Sequence, residues 1–364
     1  MLRQPPSPVV QRVLVTATQA LRTGNLMAAE MALAPFFQGL VPAHPDVLNL
    51  AGTLRTNQGR LADAAALFQQ AVERSPKDPS LCFNLGMTLS RLGRLEEAEA
   101  ALRKTLKAQP DFVQALFELG ALLHRTGRLD EAETYIRRVL KHMPRLAHAE
   151  LALAAILVDA GRPDEAERAA ERGLAAAEET HLKAQLYLQL AQALRRQRKD
   201  AEALAALDKA AALQPALPGL TGHRAETLEN LNRFDEALAD LNFAIRLKPE
   251  SAQFVHARGL IYQRQGLWQQ AINDFDAAID RNPFVAAPYL ARGQCLTQIN
   301  KLDSALEDFN AALNINNRNA DAWAGLGLVS EKMGNKAKAL EAYNSAIGID
   351  PNQSVARAGL SRMR

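Results

Sequence analysis

The chain has 364 residues, 43 of them Lys or Arg and 40 Asp or Glu, for a formal net charge of +3. Apolar residues make up 48% and aromatics only 5%, while 67 residues are Ala. That balance excludes a disordered tail, supplies no basic face for nucleic acid or an anionic membrane, and suits closely packed helices.

At the N-terminus, residues 1–9 carry Pro5, Pro6 and Pro8 and are expected to be disordered or loosely packed. Residues 10–44 read as a degenerate first repeat that serves as a cap, with small residues at Ala17, Gly24 and Ala29. Pro35 falls inside its second helix. A proline there removes a backbone donor and crowds the preceding turn, so the helix from Asn25 is expected to end or kink at about Ala34.

A 34-residue period then starts at residues 45, 79, 113, 147, 184, 218, 252, 286 and 320. Position 20 is Ala in all nine units, from Ala64 to Ala339, and position 8 is always Gly or Ala, from Gly52 to Gly327. Position 32 is Pro in seven of them, from Pro76 to Pro351. Apolar residues at helical spacing, such as Cys82, Leu85 and Leu89, mark a first helix, and a turn residue follows at position 15. An acidic first turn, as at Glu96 and Glu97 or Asp235 and Glu236, opens a second helix that Pro stops. The acids read as partners of the helix dipole, not as acid–base machinery. Small residues at 8 and 20 belong where the two helices cross. One unit cannot bury its own apolar face, so neighbours must stack. Residues 45–180 form the first part of the array and 181–353 the second, with a capping helix or tail at 354–364.

The two parts differ in style. Asn occurs 4 times in residues 1–217 and 14 times in 218–364. Position 7 is Ala or Leu in the earlier units, becomes Arg224, Arg258 and Arg292, and reverts to Leu326. Position 23 changes in step, to Asp240, Asp274 and Asp308, and reverts to Ala342. A buried guanidinium needs a carboxylate, so three ion pairs within their own units are expected. The functional alternative is a row of binding arginines.

Nine phased copies with Gly or Ala at 8, Ala at 20, a large apolar residue at 24 in most and Pro at 32 resemble the tetratricopeptide repeat (TPR) family. The resemblance implies an all-α, right-handed superhelical solenoid of about ten antiparallel helix pairs, with the first helices lining a concave groove. It implies that positions 2, 5, 9 and 12 face that groove. The candidate partner-binding residues are then Asn49, Phe83, Met87, Phe117, His124, Leu151, Val158, Leu188 and Gln192, of which the apolar ones form a stripe. The alternative is that these side chains pack on the next helix. Later units offer a more polar lining that includes Glu226, Glu229, Gln253, His256 and Gln263. The family's clamp for chaperone tails needs Lys at position 5, which no unit supplies, and only Asn84 stands at a matching position 6. The earlier half resembles arms that precede catalytic domains in some bacterial oxygenases and sulfotransferases. The later half, with HARGLIYQRQG, resembles free-standing bacterial repeat proteins.

No P-loop, GxGxxG, GxSxG, HExxH or EF-hand pattern occurs, so neither catalysis nor a cofactor is expected. His124 and His148, at positions 12 and 2 of neighbouring first helices, are offset by roughly 15 Å and cannot share a metal. Cys82 and Cys295 belong to no CxxC or Cys/His cluster, so two free thiols are expected. Without a leader-like apolar run or a stretch of about 18 apolar residues, a cytoplasmic location is expected. The function these features support is a non-enzymatic scaffold that binds a peptide or helix of a partner protein. The alternatives are a regulatory or substrate-recruiting arm of a separate or removed catalytic unit, and an engineered or chimeric structural solenoid that self-associates through its terminal repeats.

Overall fold

A computed structural model of the chain describes residues 7–217 and 219–363. All regular structure among them is α-helical, in twenty-one helices that pair as antiparallel neighbours. The chain divides between Ala193 and Leu194 into two compact units.

The first unit holds α1 (Pro8–Arg22), α2 (Leu26–Phe37), α3 (Pro45–Asn57), α4 (Leu61–Arg74), α5 (Pro79–Arg91) and α6 (Leu95–Ala108). It continues with α7 (Val113–Arg125), α8 (Leu129–His142), α9 (Ala147–Asp159), α10 (Pro163–Ala176) and most of α11 (Thr180–Arg196). The second unit holds α12 (Asp200–Leu213), α13 (Leu220–Asn230), α14 (Phe234–Leu247), α15 (Ala252–Arg264) and α16 (Trp268–Arg281). It ends with α17 (Ala286–Gln298), α18 (Leu302–Ile315), α19 (Ala320–Lys332), α20 (Lys336–Ile349) and α21 (Ser354–Met363). Residues 181–183, outside the 34-residue period, lengthen α11 at its start.

The helix ends follow local chemistry. Position 15 takes a left-handed backbone in every repeat, at φ +77° for Gly59 and Gly93 and also at non-glycine residues Arg198 (+64°), Asn232 (+56°) and Asn300 (+59°). Within a repeat the two helices cross at position 8, against the large side chain at position 24. A Cβ added at Gly259 would stand 2.6 Å from the ring of Phe275, and one at Gly327 2.5 Å from that of Tyr343. Wherever position 24 is aromatic (Phe68, Phe275, Phe309, Tyr343), position 8 is Gly. Each core is therefore a ladder of such contacts, filled with Leu and Ala in the first unit and with aromatic rings in much of the second.

The expected early end of α2 needs correction. Helix α2 does not end at Ala34 but runs through Pro35 to Phe37. Pro35 forfeits only its bond to the carbonyl of Met31, an exposed residue whose carbonyl water can satisfy. The other second helices of the first unit run to position 30 and α2 stops at position 28, with Gly39 at φ +74° completing the turn. Ser7 Oγ accepts from Val10 N and Pro8 opens α1, while the side chains of residues 7–9 are exposed. The expectation for residues 1–6 lies outside the described residues.

Cys82 and Cys295 are free and buried. Burial pushes both thiols up, Cys295 to about 12, which leaves them unreactive as nucleophiles at neutral pH.

Candidate partner-binding site

In the first unit, most of the stripe lies half-buried. Phe83 and Phe117 lean on the main core cluster, and Phe83 also packs against Phe112 with ring centroids 5.1 Å apart. Leu151 belongs to the smaller cluster around Leu182 and Leu186. Val158 is only 3% exposed and Leu188 only 8%, which removes both from any open surface. Asn49 and Asn84 are spoken for by each other, since Asn84 Nδ2 donates to Asn49 Oδ1 at 2.8 Å across adjacent repeats. His124 Nε2 lies 2.7 Å from Asp159 Oδ2, while His148 lines a separate pocket of about 360 Å³ with Phe117, Gln114 and Met143. The structure thus keeps the two histidines apart. Met87 and Gln192 are half-buried.

In the second unit, groove positions do converge on open space. Helix α13 starts two residues later than the other first helices, after Gly219 at φ +81°, and its position 5 is Gly222. A Cβ at Gly222 would meet no heavy atom within 4 Å. The missing side chains leave a cleft of about 340 Å³ between α13 and α15, lined by His223, Glu226, Glu229, Gln253, His256 and Leu260. A second pocket of about 300 Å³ shares Gly219, Gln253 and Phe254 and extends the opening to Phe243 and Leu247, both exposed.

The polar groups of the cleft are organised but incompletely paired. Arg195 Nη1 donates to His223 Nδ1 at 3.0 Å, and Arg195 also pairs with Glu226. Glu229 accepts from Arg264 Nη1 at 3.0 Å. Burial holds His223 and His256 below the ordinary histidine value, with Arg195 adding to the effect at His223, so both rings are neutral at pH 7. Among the described residues, two buried side-chain atoms have no hydrogen-bond partner: His256 Nε2 and Arg195 Nε. Such atoms are rare in folded proteins because each carries an uncompensated desolvation cost.

The periodic arginines are held from two sides. Arg258 Nε and Nη2 donate to Asp274 at 2.8 and 2.6 Å, and Arg292 makes the same fork to Asp308 at the same distances. Arg224 pairs with Asp240 in the same way, through one nitrogen. Each arginine also reaches position 25 of the preceding repeat: Asp208 for Arg224, Asn242 for Arg258 and Asp276 for Arg292. That second contact ties one repeat to the next. Sequence reading missed it, although Asp208, Asn242 and Asp276 recur at the same period. It also missed the buried Glu150, which accepts two bonds from Arg172 at 2.7 and 2.9 Å. The acids that open second helices have side-chain partners as well, as Glu97 with Arg94 and Glu236 with Arg233.

Among the described residues no three His, Cys, Asp or Glu side chains are grouped as a metal site needs, and no helix is long and apolar enough to cross a membrane. A comparison with curated proteins finds no significant match. Among solved structures, the chain is similar to a tetratricopeptide repeat protein from Parabacteroides merdae, at 19% identity and a TM-score of 0.56, over 65% of this chain and 93% of that one. It is also similar to a chain in the APC/C hetero-tetramer Cut9–Hcn1, at 15% identity and a TM-score of 0.56, over 96% of this chain and 89% of that one. At such identities the likeness is one of fold. A family model described as tetratricopeptide repeat matches residues 14–79, 83–145, 151–218 and 256–320, and a second model of the same description matches 320–353. With helix pairs, position-8 crossings and family matches spread over most of its length, the chain belongs to the tetratricopeptide repeat family.

Proposed function

We propose that this protein is a non-enzymatic scaffold and that it holds an extended or helical segment of a partner protein in the cleft between α13 and α15. Tetratricopeptide folds generally serve protein and peptide binding, and that much follows from the family. The location rests on one observation. The side chains of His223, Glu226, Glu229 and Gln253 line an opening of about 340 Å³ that Gly219 and Gly222 leave unfilled. A bound segment meets the polar side chains of His223, Glu226, Glu229 and Gln253 and lays an apolar side chain on Phe254 and Leu260, and the adjoining pocket at Phe243 accommodates its continuation.

Gly222→Leu separates binding from folding. Its Cβ meets no heavy atom within 4 Å and it replaces a helical glycine, so it should stabilise α13 by roughly 0.5–1 kcal/mol while occupying the cleft. Affinity capture followed by mass spectrometry should identify a protein recovered by the parent chain and lost with Gly222→Leu. It should be retained by Phe117→Ala with Leu151→Ala in the first unit. Loss with the first-unit pair and retention with Gly222→Leu would return the site to the stripe of Phe83, Met87, Phe117 and Leu151.

A further inference from the structure

The last full repeat breaks the arginine pattern, and the break leaves a hole. Arg292 lies between Asp308 and Asp276, and Arg258 between Asp274 and Asn242. One repeat later, position 7 is Leu326, position 23 is Ala342, and position 25 of the preceding repeat is Asn310. There, where α18, α19 and α20 meet, a cavity of about 240 Å³ opens, lined by Asn310, Trp323, Leu326, Ser330, Glu341 and Ala342. Among the described residues the side chains of Asn310 and Glu341 have no partner. The Trp323 indole is anchored, its Nε1 donating to the carbonyl of Asn317 at 2.9 Å.

We propose that this cavity receives the guanidinium of an arginine side chain from a partner protein. The second unit itself shows what the space accommodates. In the equivalent place Asn242 Oδ1 accepts from Arg258 Nη1 at 2.6 Å, and Asn310 presents the same acceptor with no donor. Glu341, the residue before Ala342 on α20, supplies a carboxylate to the same lining. Trp323 supplies an aromatic surface of the kind on which guanidinium stacks. Lys338 also lines the cavity, so the local charge is balanced and net attraction does not select the ligand. Planar hydrogen bonding and stacking do, and they favour guanidinium over ammonium. The inference rests on the scaffold reading, but it concerns a second surface whose test does not involve the cleft at α13.

The test uses the full chain carrying Trp268→Phe, which leaves Trp323 the single tryptophan. Methylguanidinium and N-acetyl-arginine amide, at millimolar concentrations too low to denature, should change Trp323 emission saturably. Methylammonium and sodium chloride at equal ionic strength should not. Glu341→Gln should weaken the saturable response about fivefold, the scale of one semi-exposed charge partner. Leu326→Arg with Ala342→Asp, which rebuilds the internal pair, should abolish it, with circular dichroism to check the fold. A response that survives both variants, equal responses to methylguanidinium and methylammonium, or no saturable response overturns the proposal. If the ligand instead dissociates a dimer in sedimentation, the occupant is a second copy of this chain and the partner assignment fails. Loss of the partner with Gly222→Leu leaves this result untouched, so the two readings fail separately.

Discussion

Arg292 illustrates how a residue's neighbours decide its energetics. Its side chain is 22% exposed and that of Asp308 only 6%. Burial pushes the Asp308 carboxyl up while the Arg292 guanidinium pulls it down, and burial prevails. The pair therefore offsets a desolvation cost more than it adds net stability. Asp308→Ala alone should cost about 2–4 kcal/mol, because it strands most of a half-buried guanidinium. Arg292→Leu with Asp308→Ala, the combination the last repeat uses, should cost markedly less. Urea unfolding of the three proteins measures this. Equal losses would mean that Asp276 by itself satisfies the arginine. The pairing was legible because both residues appear and vanish at one period. The partner at position 25 was not, because Asp and Asn are common on exposed helix faces and only the stacked geometry shows which of them meets the next repeat.

Helix α21 shows the same dependence at the scale of an element. Its Gly359 lies against the ring of Tyr343, as Gly327 does from the other side, so Tyr343 is fully buried between them. Arg362 donates to both oxygens of Glu331 at 2.9 and 2.8 Å, and the Tyr343 hydroxyl donates to the same carboxylate at 2.6 Å. Glu331 is drawn down to about 2, first by the hydrogen bond from Arg362, against burial, with Tyr343 assisting. A depressed carboxyl stabilises the folded form above its unfolded value near 4.5, and that contribution is lost as pH falls towards 2. Amide-exchange protection of α21 should therefore drop across that window, and Glu331→Gln should remove the step. A pH-independent protection in the parent protein would overturn it. Gly359→Ala should detach α21 at every pH, since the added methyl has no room beside the ring. In α2, by contrast, a proline in the last turn does not end the helix, which runs two residues further to Phe37.

Over the whole molecule, contacts run between helices adjacent in chain order or one apart, within each unit. Stability is then close to a sum of local terms and nearest-neighbour interfaces. Unfolding in denaturant should proceed in more than one step. Asp308→Ala should lower exchange protection in the second unit and leave the amides of α5 to α8 unchanged. One transition, shifted as a whole by that variant, would contradict the picture.

The 34-residue period by itself determined the helix pairs, their turns and their crossings, because each depends on a residue type that local sterics demand: Gly or Asn for a left-handed turn, a small residue where helices touch. It also brought Arg and Asp together, since they lie 16 residues apart on facing helices of one repeat. It could not decide which groove positions stay open. Val158 and Leu188 fit the groove pattern as well as Phe117 does, yet both are covered, because coverage depends on how closely the neighbouring helices approach. The cleft at α13 and the cavity at Trp323 come from side chains that are absent, Gly222 in one and Ala342 in the other. An absent side chain becomes a site only where the surrounding backbone does not close over it. That is settled by tertiary packing.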